Sequence, residues 1–149
     1  MQLSTKARYA VRALIELVPY YGQGPLMLKE IARRQDISDK YLEQLMSPLR
    51  NRDIVYTVRG NRGGYMLSKK PADINLFEVI QAVEGSLAPV PCVEKNSVCE
   101  KTDVCATREV WCELNDKIKN TLENTTLDDL AERQREMQPS SSGQIDYVI

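Results

Sequence analysis

The spacing of apolar side chains predicts three helices in the first third of the chain. In the first of them, apolar residues recur at intervals of three and four, at Tyr9, Val11, Leu14, Ile15 and Val18. The three helices span about residues 5–20, 28–35 and 38–52. Ser38 is expected to cap the third, because its hydroxyl can accept from an unpaired backbone amide at a helix start. Pro48 lies inside that helix, where we expect a kink or a new start capped by Ser47.

A β-hairpin is predicted directly after the third helix. Residues 54–58 are strand-like, residues 65–67 form the return strand, and the Gly-rich sequence between them suits a turn with positive φ. Two short helices joined by a tight turn and followed by a hairpin form a winged helix-turn-helix. Arg59 and Arg62 lie at the wing tip, where arginine suits phosphates or a narrow minor groove. An ordinary surface hairpin is the alternative.

The second half of the chain is predicted to contain three helices and one long loop. Asn75 begins a helix that ends at Gly85, with Glu78 placed to complete a pair resembling a capping box. Residues 86–102 lack apolar periodicity, so we expect a loop. Thr126 is expected to cap the last helix. The two helices after the loop span about residues 103–123 and 127–137.

The long helix carries one narrow apolar seam on an otherwise mostly polar surface. Its members recur in steps of three and four residues, at Val104, Thr107, Trp111, Leu114, Ile118 and Leu122. Such a seam suits packing against the same helix of a second copy, although packing on the chain's own core is the alternative. We favour a homodimer, because DNA-binding proteins of this type match two half-sites by symmetry.

Charge is distributed unevenly along the chain. Residues 1–70 carry 13 Lys and Arg against 6 Asp and Glu, a net charge of +7, whereas residues 71–149 have a net charge of −8. A basic half that also carries a predicted wing indicates binding to double-stranded DNA, although basic residues that merely solvate helices are the alternative. No apolar run is long enough to span a membrane, and we expect a cytoplasmic protein.

Four cysteines fall within 21 residues, with the spacing C-x6-C-x5-C-x6-C at Cys92, Cys99, Cys105 and Cys112. In a reducing compartment such a group indicates metal ligands rather than disulfides. The gaps are wider than in most structural zinc sites and suit a loop around an iron–sulfur cluster, with zinc and free thiols as alternatives. The chain has no histidine, which excludes imidazole ligation and histidine-based catalysis. We expect no enzymatic activity.

The predicted fold class is mainly α with a small β-hairpin wing, a winged helix-turn-helix followed by a long dimerisation helix. Five segments are expected: a DNA-binding domain, a connecting helix, a cluster-binding loop, the dimerisation helix with a short C-terminal helix, and a tail. These segments cover residues 1–70, 71–85, 86–104, 105–137 and 138–149. In the tail, 139–143 has a flexible composition and 145–149 is a candidate for docking on the body.

Eight residues are candidates for contacting DNA. They lie on the first helix, on the third helix and at the wing tip: Arg8, Ser38, Lys40, Tyr41, Glu43, Gln44, Arg59 and Arg62. Glu43 is unusual there, because phosphates repel a carboxylate. We expect it to select for cytosine, whose amino group can donate to a carboxylate in the major groove. The alternative is that Glu43 forms an ion pair with Lys40 or Arg50.

The sequence resembles the iron–sulfur cluster regulators called IscR, within the Rrf-type group of transcription regulators. The matching segments are LSTKARYA (3–10), YLEQL (41–45), VRGNRGGY (58–65) and the loop with Cys92, Cys99 and Cys105. The resemblance covers about residues 1–135. It implies a homodimer with an N-terminal winged helix and crossed long helices. It also implies one cluster per subunit, most often 2Fe–2S, bound by those three cysteines, with DNA occupancy reporting cluster status.

The chain departs from the IscR pattern at one position. Members of that group commonly place a histidine three residues after the third cysteine, and here that residue is Arg108. The fourth ligand is therefore open. Glu109, one turn from Cys105, is our first candidate, Cys112 is the second, and a residue of the other subunit is the third.

A second resemblance is to cysteine-metabolism regulators of the same group. It is carried by LMSPLRN (45–51) and by DYVI (146–149), and it implies control by a partner enzyme without cluster cysteines.

We therefore expect a transcriptional repressor controlled by an iron–sulfur cluster and acting on cluster-assembly genes, bound to a pseudo-palindromic operator. The alternatives are a regulator of cysteine or sulfur metabolism controlled by a partner protein, and a redox or electron-transfer protein.

Overall fold

The computed structural model describes residues 2–95 and 98–139, which form helices around one β-hairpin. The helices are α1 (Thr5–Leu17), α2 (Leu28–Gln35), α3 (Asp39–Asn51), α4 (Leu76–Glu84), α5 (Pro91–Glu94), α6 (Ala106–Glu123) and α7 (Leu127–Met137). Strands β1 (Val55–Val58) and β2 (Gly64–Leu67) pair antiparallel, with Val55 opposite Leu67. Turns of 3₁₀ helix lie at Val18–Tyr20, Pro71–Asp73 and Thr102–Val104. The predicted mainly helical fold with a hairpin wing is confirmed.

Polar side chains cap four helices by accepting hydrogen bonds from backbone amides of the first turn. They are Ser4 for α1, Ser38 for α3, Asn75 for α4 and Thr126 for α7. The predicted cap at Ser38 is confirmed, since its hydroxyl accepts from the Tyr41 N–H at 3.1 Å. At α4 only half of the predicted pair forms. Asn75 accepts from the Glu78 N–H at 2.9 Å, but the Glu78 carboxylate binds the Lys69 ammonium at 3.2 Å.

Proline explains where α1 ends and leaves α3 unbroken. The α-helix stops at Leu17 and tightens into the 3₁₀ turn Val18–Tyr20, because Pro19 has no N–H to bond a carbonyl one turn earlier. The helix α3 instead runs continuously through Pro48, so the alternative of a new start at Ser47 is wrong. Buried side chains on both sides of Pro48 hold the two halves of α3 on one core.

The predicted loop contains structure, and the long helix begins later than expected. The four-residue helix α5 lies within 86–102, and the segment 102–104 forms a 3₁₀ turn. Val104 is 85% exposed, so no packing extends the helical pattern back to it. Cys105 has an extended backbone, with φ of −99° and ψ of 103°, and α6 starts after it at Ala106.

One core joins the N-terminal helices to the C-terminal one. Leu14 of α1, Leu42 of α3 and Val79 of α4 are fully buried in it. Leu127, the first residue of α7, is buried in the same cluster, and its N–H donates to the carbonyl of Ile74 at 2.9 Å. The last helix therefore belongs to the body that carries the helix-turn-helix.

The wing is attached to the body by backbone hydrogen bonds. Tyr65 of β2 donates to the carbonyl of Leu26 at 2.9 Å, and Leu26 donates back to Tyr65 at 3.1 Å. Gly64 permits this approach, since a Cβ there would lie 2.1 Å from the Leu26 carbonyl oxygen. The bridge places the hairpin beside the start of α2 and fixes the direction in which its tip points.

The long helix α6 lies at the surface of the chain. None of its residues is fully buried, and Val110 and Trp111 are exposed. Leu114, Ile118 and Leu122 of the predicted seam are half-buried. Within residues 2–95 and 98–139, no helix is long and apolar enough to cross a lipid bilayer.

Candidate DNA interface and cysteine site

The helix-turn-helix is formed by α2, a tight turn and α3. Asp36 makes the turn possible by adopting a left-handed backbone, with φ of 53°. Leu42 and Leu45 point into the core, so α3 is held with its other side outward. That outward side presents polar groups, and it includes the exposed Lys40, Glu43 and Gln44 and the exposed cap Ser38. This arrangement can present hydrogen-bonding side chains to a DNA groove.

Glu43 is exposed and has no ion pair within the described part of the chain. Neither alternative partner, Lys40 nor Arg50, bonds to its carboxylate there. The negative charge of Glu43 acts on the Tyr65 phenol of the wing. Burial raises the pKa of the Tyr65 phenol, Arg50 opposes the rise, and the Glu43 carboxylate adds to it. Two charged residues of α3 therefore act electrostatically on one side chain of the wing.

The wing ends in two exposed arginines. Arg59 and Arg62 flank Gly60, whose φ of 114° turns the chain at the tip. Among the described residues, neither guanidinium has a hydrogen bond or an ion pair. Both charges are therefore available to an anion outside the chain, and phosphate binding by the wing stays a prediction.

The helix α1 contacts the start of α3 through two tyrosines. The rings of Tyr9 and Tyr41 meet edge to face, with centroids 6.1 Å apart and planes at 80°. Arg8, a predicted DNA contact, is exposed on α1, and its side chain donates to the Thr5 hydroxyl at 3.2 Å. Tyr9 is one of the periodic apolar positions that predict the first helix. Its half-buried position beside Tyr41 depends on long-range packing that helical periodicity does not carry.

The predicted cluster ligands lie on three different elements. Cys92 is half-buried in α5, Cys99 is exposed in the following loop, and Cys105 occupies the N-cap position of α6. All are free thiols. Among the residues that the structure describes, no three Cys, Asp or Glu side chains converge in a way that could hold a metal ion. The three thiols are thus near one another in sequence but are not closed around one point.

The thiol of Cys105 is in a setting that favours its ionised form. Its sulfur contacts the Thr107 hydroxyl at 3.2 Å. This contact lowers the thiol pKa most, followed by the Arg108 backbone N–H, while the Thr107 backbone N–H and the charge of Arg108 lower it further. The thiolate is the form that binds metals, so Cys105 is prepared for ligation.

The two fourth-ligand candidates on α6, Glu109 and Cys112, differ in whether they share a surface depression with Cys105. Glu109 lies with Cys105 and Asp103 on the wall of a surface depression of about 470 Å³. Cys112 does not line it. Cys112 is half-buried four residues after Arg108, on the same face of α6. Glu109 and Asp103 therefore share this depression with Cys105, whereas Cys112 is not part of its wall.

The chemistry of these residues fits an iron–sulfur cluster. Three thiols within 14 residues supply the soft ligands that iron–sulfur clusters use, and the pKa of one of them, Cys105, is lowered by its hydrogen bonds. A histidine ligand is excluded because the chain contains none. Residues 96–97, between the first and second cysteines, lie outside the described residues, as do residues 140–149 with the predicted docking tail.

Comparisons with known proteins agree with this combination of elements. The family model described as "Rrf2: Iron-dependent Transcriptional regulator" matches residues 3–133. The transcriptional regulator CymR of Bacillus subtilis is 42% identical over 131 residues, covering 88% of this chain and 90% of CymR. The regulator IscR of Pectobacterium atrosepticum is 42% identical over 130 residues, covering 87% of this chain and 79% of IscR.

Two solved structures are similar in fold as well as in sequence. The structure of B. subtilis CymR, described as the global cysteine regulator, has a TM-score of 0.76 at 41% identity and covers 89% of this chain and 98% of that one. The structure of T. potens IscR has a TM-score of 0.76 at 37% identity, covering 94% and 93%. By TM-score, the CymR structure and the IscR structure are therefore equally similar in fold to this chain.

Proposed function

Because this chain belongs to the Rrf2 family of transcriptional regulators, we propose that it is a DNA-binding repressor controlled by an iron–sulfur cluster. The observation that carries the proposal is the joint presence of a polar, outward face on α3 and a cysteine group that includes an ionisation-prone thiol. The first supports operator binding and the second supports a sensing group. The proposed target genes are those of iron–sulfur cluster assembly.

The proposed DNA contacts divide into two classes. Arg8, Lys40, Arg59 and Arg62 bind backbone phosphates and supply most of the affinity. Ser38, Tyr41, Glu43 and Gln44 lie at the start of α3, and the proposal assigns base edges to the side chains among them that are exposed. Affinity is therefore expected to fall steeply as salt rises, because each phosphate contact releases counterions.

The proposed cluster ligands are Cys92, Cys99 and Cys105, for one 2Fe–2S cluster per subunit. When bound, the cluster supplies a redox- and iron-sensitive link between the loop and the start of α6. Glu109 is the proposed fourth ligand, because it shares the depression at Cys105. Cys112 lies six residues after the first residue of α6, Ala106, about 9 Å along the helix axis, which is far for one small cluster. A residue of the other subunit is the remaining candidate.

The proposed assembly is a homodimer through α6. The exposed Trp111 and the half-buried Leu114 and Ile118 support this, because one chain leaves them partly open to solvent. A two-fold dimer places two copies of α3 on pseudo-palindromic half-sites, about 34 Å or a multiple of that apart.

One experiment tests the proposal directly. Protein purified without air is assayed for iron, sulfide and visible absorption, and its binding to random and selected duplexes is measured before and after cluster removal. We expect a coloured protein whose operator preference changes when the cluster is lost. A colourless zinc protein that binds DNA would refute the cluster and leave the DNA-binding regulator intact.

A second candidate is a regulator of cysteine or sulfur metabolism controlled by a partner protein. It is favoured by the similarity to B. subtilis CymR, which matches that of the IscR relatives. A variant with Ser at positions 92, 99 and 105 separates the two. Under the second candidate this variant regulates as the wild type does, whereas under the first it loses the response to iron or oxidant.

A further inference from the structure

A surface groove of about 500 Å³ runs along α7, between that helix and the end of α1. We call it the α7 groove. The helix contributes residues spaced mostly three or four apart, which lie on one of its faces: Asp128, Ala131, Gln134, Arg135 and Gln138. The other side of the groove includes the half-buried Ile15 and Val18 and also Tyr21, which is 40% exposed. Apolar surface is therefore left open along one face of α7.

The charges of the α7 groove are unevenly compensated. The Glu16 carboxylate accepts hydrogen bonds from Arg34 and Gln35 of α2. Asp128 lies in the first turn of α7, where the helix N-terminus favours a carboxylate. Arg135, near the other end, is exposed and forms no ion pair with any residue that the structure describes. The groove therefore suits an apolar segment that carries one acidic residue near the Arg135 end.

The sequence that follows the groove has this composition. Gln138 lines the groove, and the segment SSSGQIDYVI (140–149) begins two residues later. Its serines and glycine are residue types that form turns. Residues 145–149 contain four apolar residues and one acid. In an extended segment, alternate side chains share one side, so Ile145, Tyr147 and Ile149 would lie together and Asp146 on the other side.

We propose that residues 145–149 occupy the α7 groove of their own chain as an extended segment antiparallel to α7, with Asp146 paired to Arg135. Asp128 and Gln138 are ten residues apart, about 15 Å along the helix axis. Five extended residues span about 17 Å, so the segment matches the groove in length.

The register of the segment follows from where it enters. If it enters beside Gln138, each of its residues advances past about two residues of α7, because an extended chain rises about twice as far per residue as a helix. Asp146 then comes close to Arg135, and Ile149 comes close to Asp128. Docking of this segment does not depend on the proposed binding of DNA or of a cluster.

The test uses the full chain, with a fluorescent synthetic peptide of residues 140–149 as the probe. Peptide affinity is measured by anisotropy for wild type and for a tail variant that carries Tyr147→Ala and Ile149→Ala. The tether gives the chain's own segment an effective concentration of about 1 mM, so a segment with a Kd of about 0.1 mM weakens peptide binding about tenfold. The tail variant should therefore bind the peptide about tenfold more tightly than wild type.

Exchanging two charges tests the pairing of Asp146 with Arg135. Added to the tail variant, Arg135→Glu should weaken peptide binding by about 2–5-fold, the size of an exposed ion pair. A peptide that carries Asp146→Lys should restore the binding. Arg133→Glu is the matched control, because it makes the same change at an exposed residue of α7 that does not line the groove, and it should leave peptide affinity unchanged.

Three outcomes would overturn the inference. Equal peptide affinity in wild type and in the tail variant would show that the groove accepts this segment only from another molecule, such as a second copy. Absence of peptide binding to both proteins would show that the groove holds something else. Equal weakening by Arg133→Glu and Arg135→Glu would show that the peptide binds outside the groove.

Discussion

Arg108 of α6 donates a hydrogen bond from Nε to the backbone carbonyl of Cys92, 3.2 Å away and 16 residues earlier in the chain. The helix α5 that contains Cys92 has only four residues, too few to be stable alone. The hydrogen bond therefore ties the first proposed cluster ligand to the helix that begins beside the third. We propose that Arg108 is a positioning residue, at the place where the resemblance to IscR regulators implies a histidine.

This relationship predicts two different effects of changing Arg108. Arg108→Ala should reduce cluster occupancy, because Cys92 is no longer held beside α6. Arg108→His should retain the cluster and shift its visible absorption, because an imidazole becomes available three residues after Cys105. Iron and sulfide content and absorption spectra of anaerobically purified protein measure both. Equal occupancy in wild type and Arg108→Ala would contradict the positioning role.

The cysteines and Glu109 should differ in their importance for the cluster. Ser at position 92, 99 or 105 should abolish or strongly weaken cluster binding, because a serine hydroxyl is a harder and poorer ligand for iron than a thiolate. Glu109→Ala should weaken binding or alter the spectrum, whereas Cys112→Ser should change little. Iron content and absorption are the measurements. Cluster loss in Cys112→Ser with retention in Glu109→Ala would reverse our order of fourth ligands.

The attachment of the wing should be sensitive to one methyl group. In Gly64→Ala the added Cβ would lie 2.1 Å from the Leu26 carbonyl oxygen, so the bridge between Leu26 and Tyr65 must shift. We expect a loss of about 1–3 kcal/mol in the free energy of unfolding, the range for overpacked sites. DNA affinity should also fall, because the wing moves with Arg59 and Arg62.

Chemical denaturation and DNA titration of Gly64→Ala provide the test. Asn61→Ala, at the exposed tip of the same hairpin, is the control and should retain wild-type stability. A Gly64→Ala variant as stable as wild type would show that the bridge tolerates displacement.

Local signals in the sequence identified most elements, and long-range contacts account for what they missed. The limits of α2 and α7 agree with prediction, because each has a clear apolar period and a clear stop. The start of α6 was misplaced because Val104 fits the period but finds nothing to pack against. The contact of Tyr9 with Tyr41 joins residues 32 positions apart, which no local pattern encodes.

The sequence supplies candidate residues for the site but not their arrangement. Cysteine spacing identifies candidate ligands, yet it does not say that Arg108 reaches Cys92 or that Glu109 shares a depression with Cys105. Both relationships depend on where α6 begins and on how α5 packs against it. Likewise, charge counts identify a basic half but do not separate Arg34, which is bonded to Glu30, from Arg59, which is not in an ion pair with any described residue.

The cap of α7 should give the fold a pH dependence at acid pH. Thr126 accepts from the Asp129 N–H, and the Asp129 carboxylate accepts from the Thr126 N–H at 2.9 Å. The hydrogen bond from the Thr126 backbone N–H, followed by the Thr126 side chain, holds the pKa of Asp129 below its ordinary value. A carboxyl with a depressed pKa stabilises the fold above its unfolded-state pKa, and this contribution is lost as pH falls through the folded-state pKa.

Thermal unfolding of Asp129→Asn at several pH values tests this cap. Wild type should be more stable than Asp129→Asn near neutral pH, and the difference should shrink below about pH 4, the ordinary range for Asp. Asp128→Asn, on the same first turn but outside the capping box, is the control. Thr126→Ala should cost about 1 kcal/mol in the free energy of unfolding at neutral pH. A difference between wild type and Asp129→Asn that is independent of pH would contradict the argument.

Glu43 should decide which operators are bound rather than how tightly DNA is bound in general. Its carboxylate is exposed on α3, and within the described residues it pairs with neither Lys40 nor Arg50. A carboxylate repels phosphates but can accept from the amino group of cytosine, so it favours sites with a well-placed cytosine and penalises others. A directly read base is worth about 1–3 kcal/mol, whereas an exposed ion pair contributes only about 0–1 kcal/mol.

The two roles of Glu43 separate on a panel of operator variants. In Glu43→Ala, affinity for poor sites should rise and discrimination between sites should fall by up to about 10–100-fold, the equivalent of one misread base. Gln44→Ala, which removes a neutral neighbour on the same face, is the control, and it should weaken good sites without improving poor ones. If Glu43→Ala shifts affinity for every operator by the same factor, Glu43 acts only through its charge or through the fold, and the selector role is refuted.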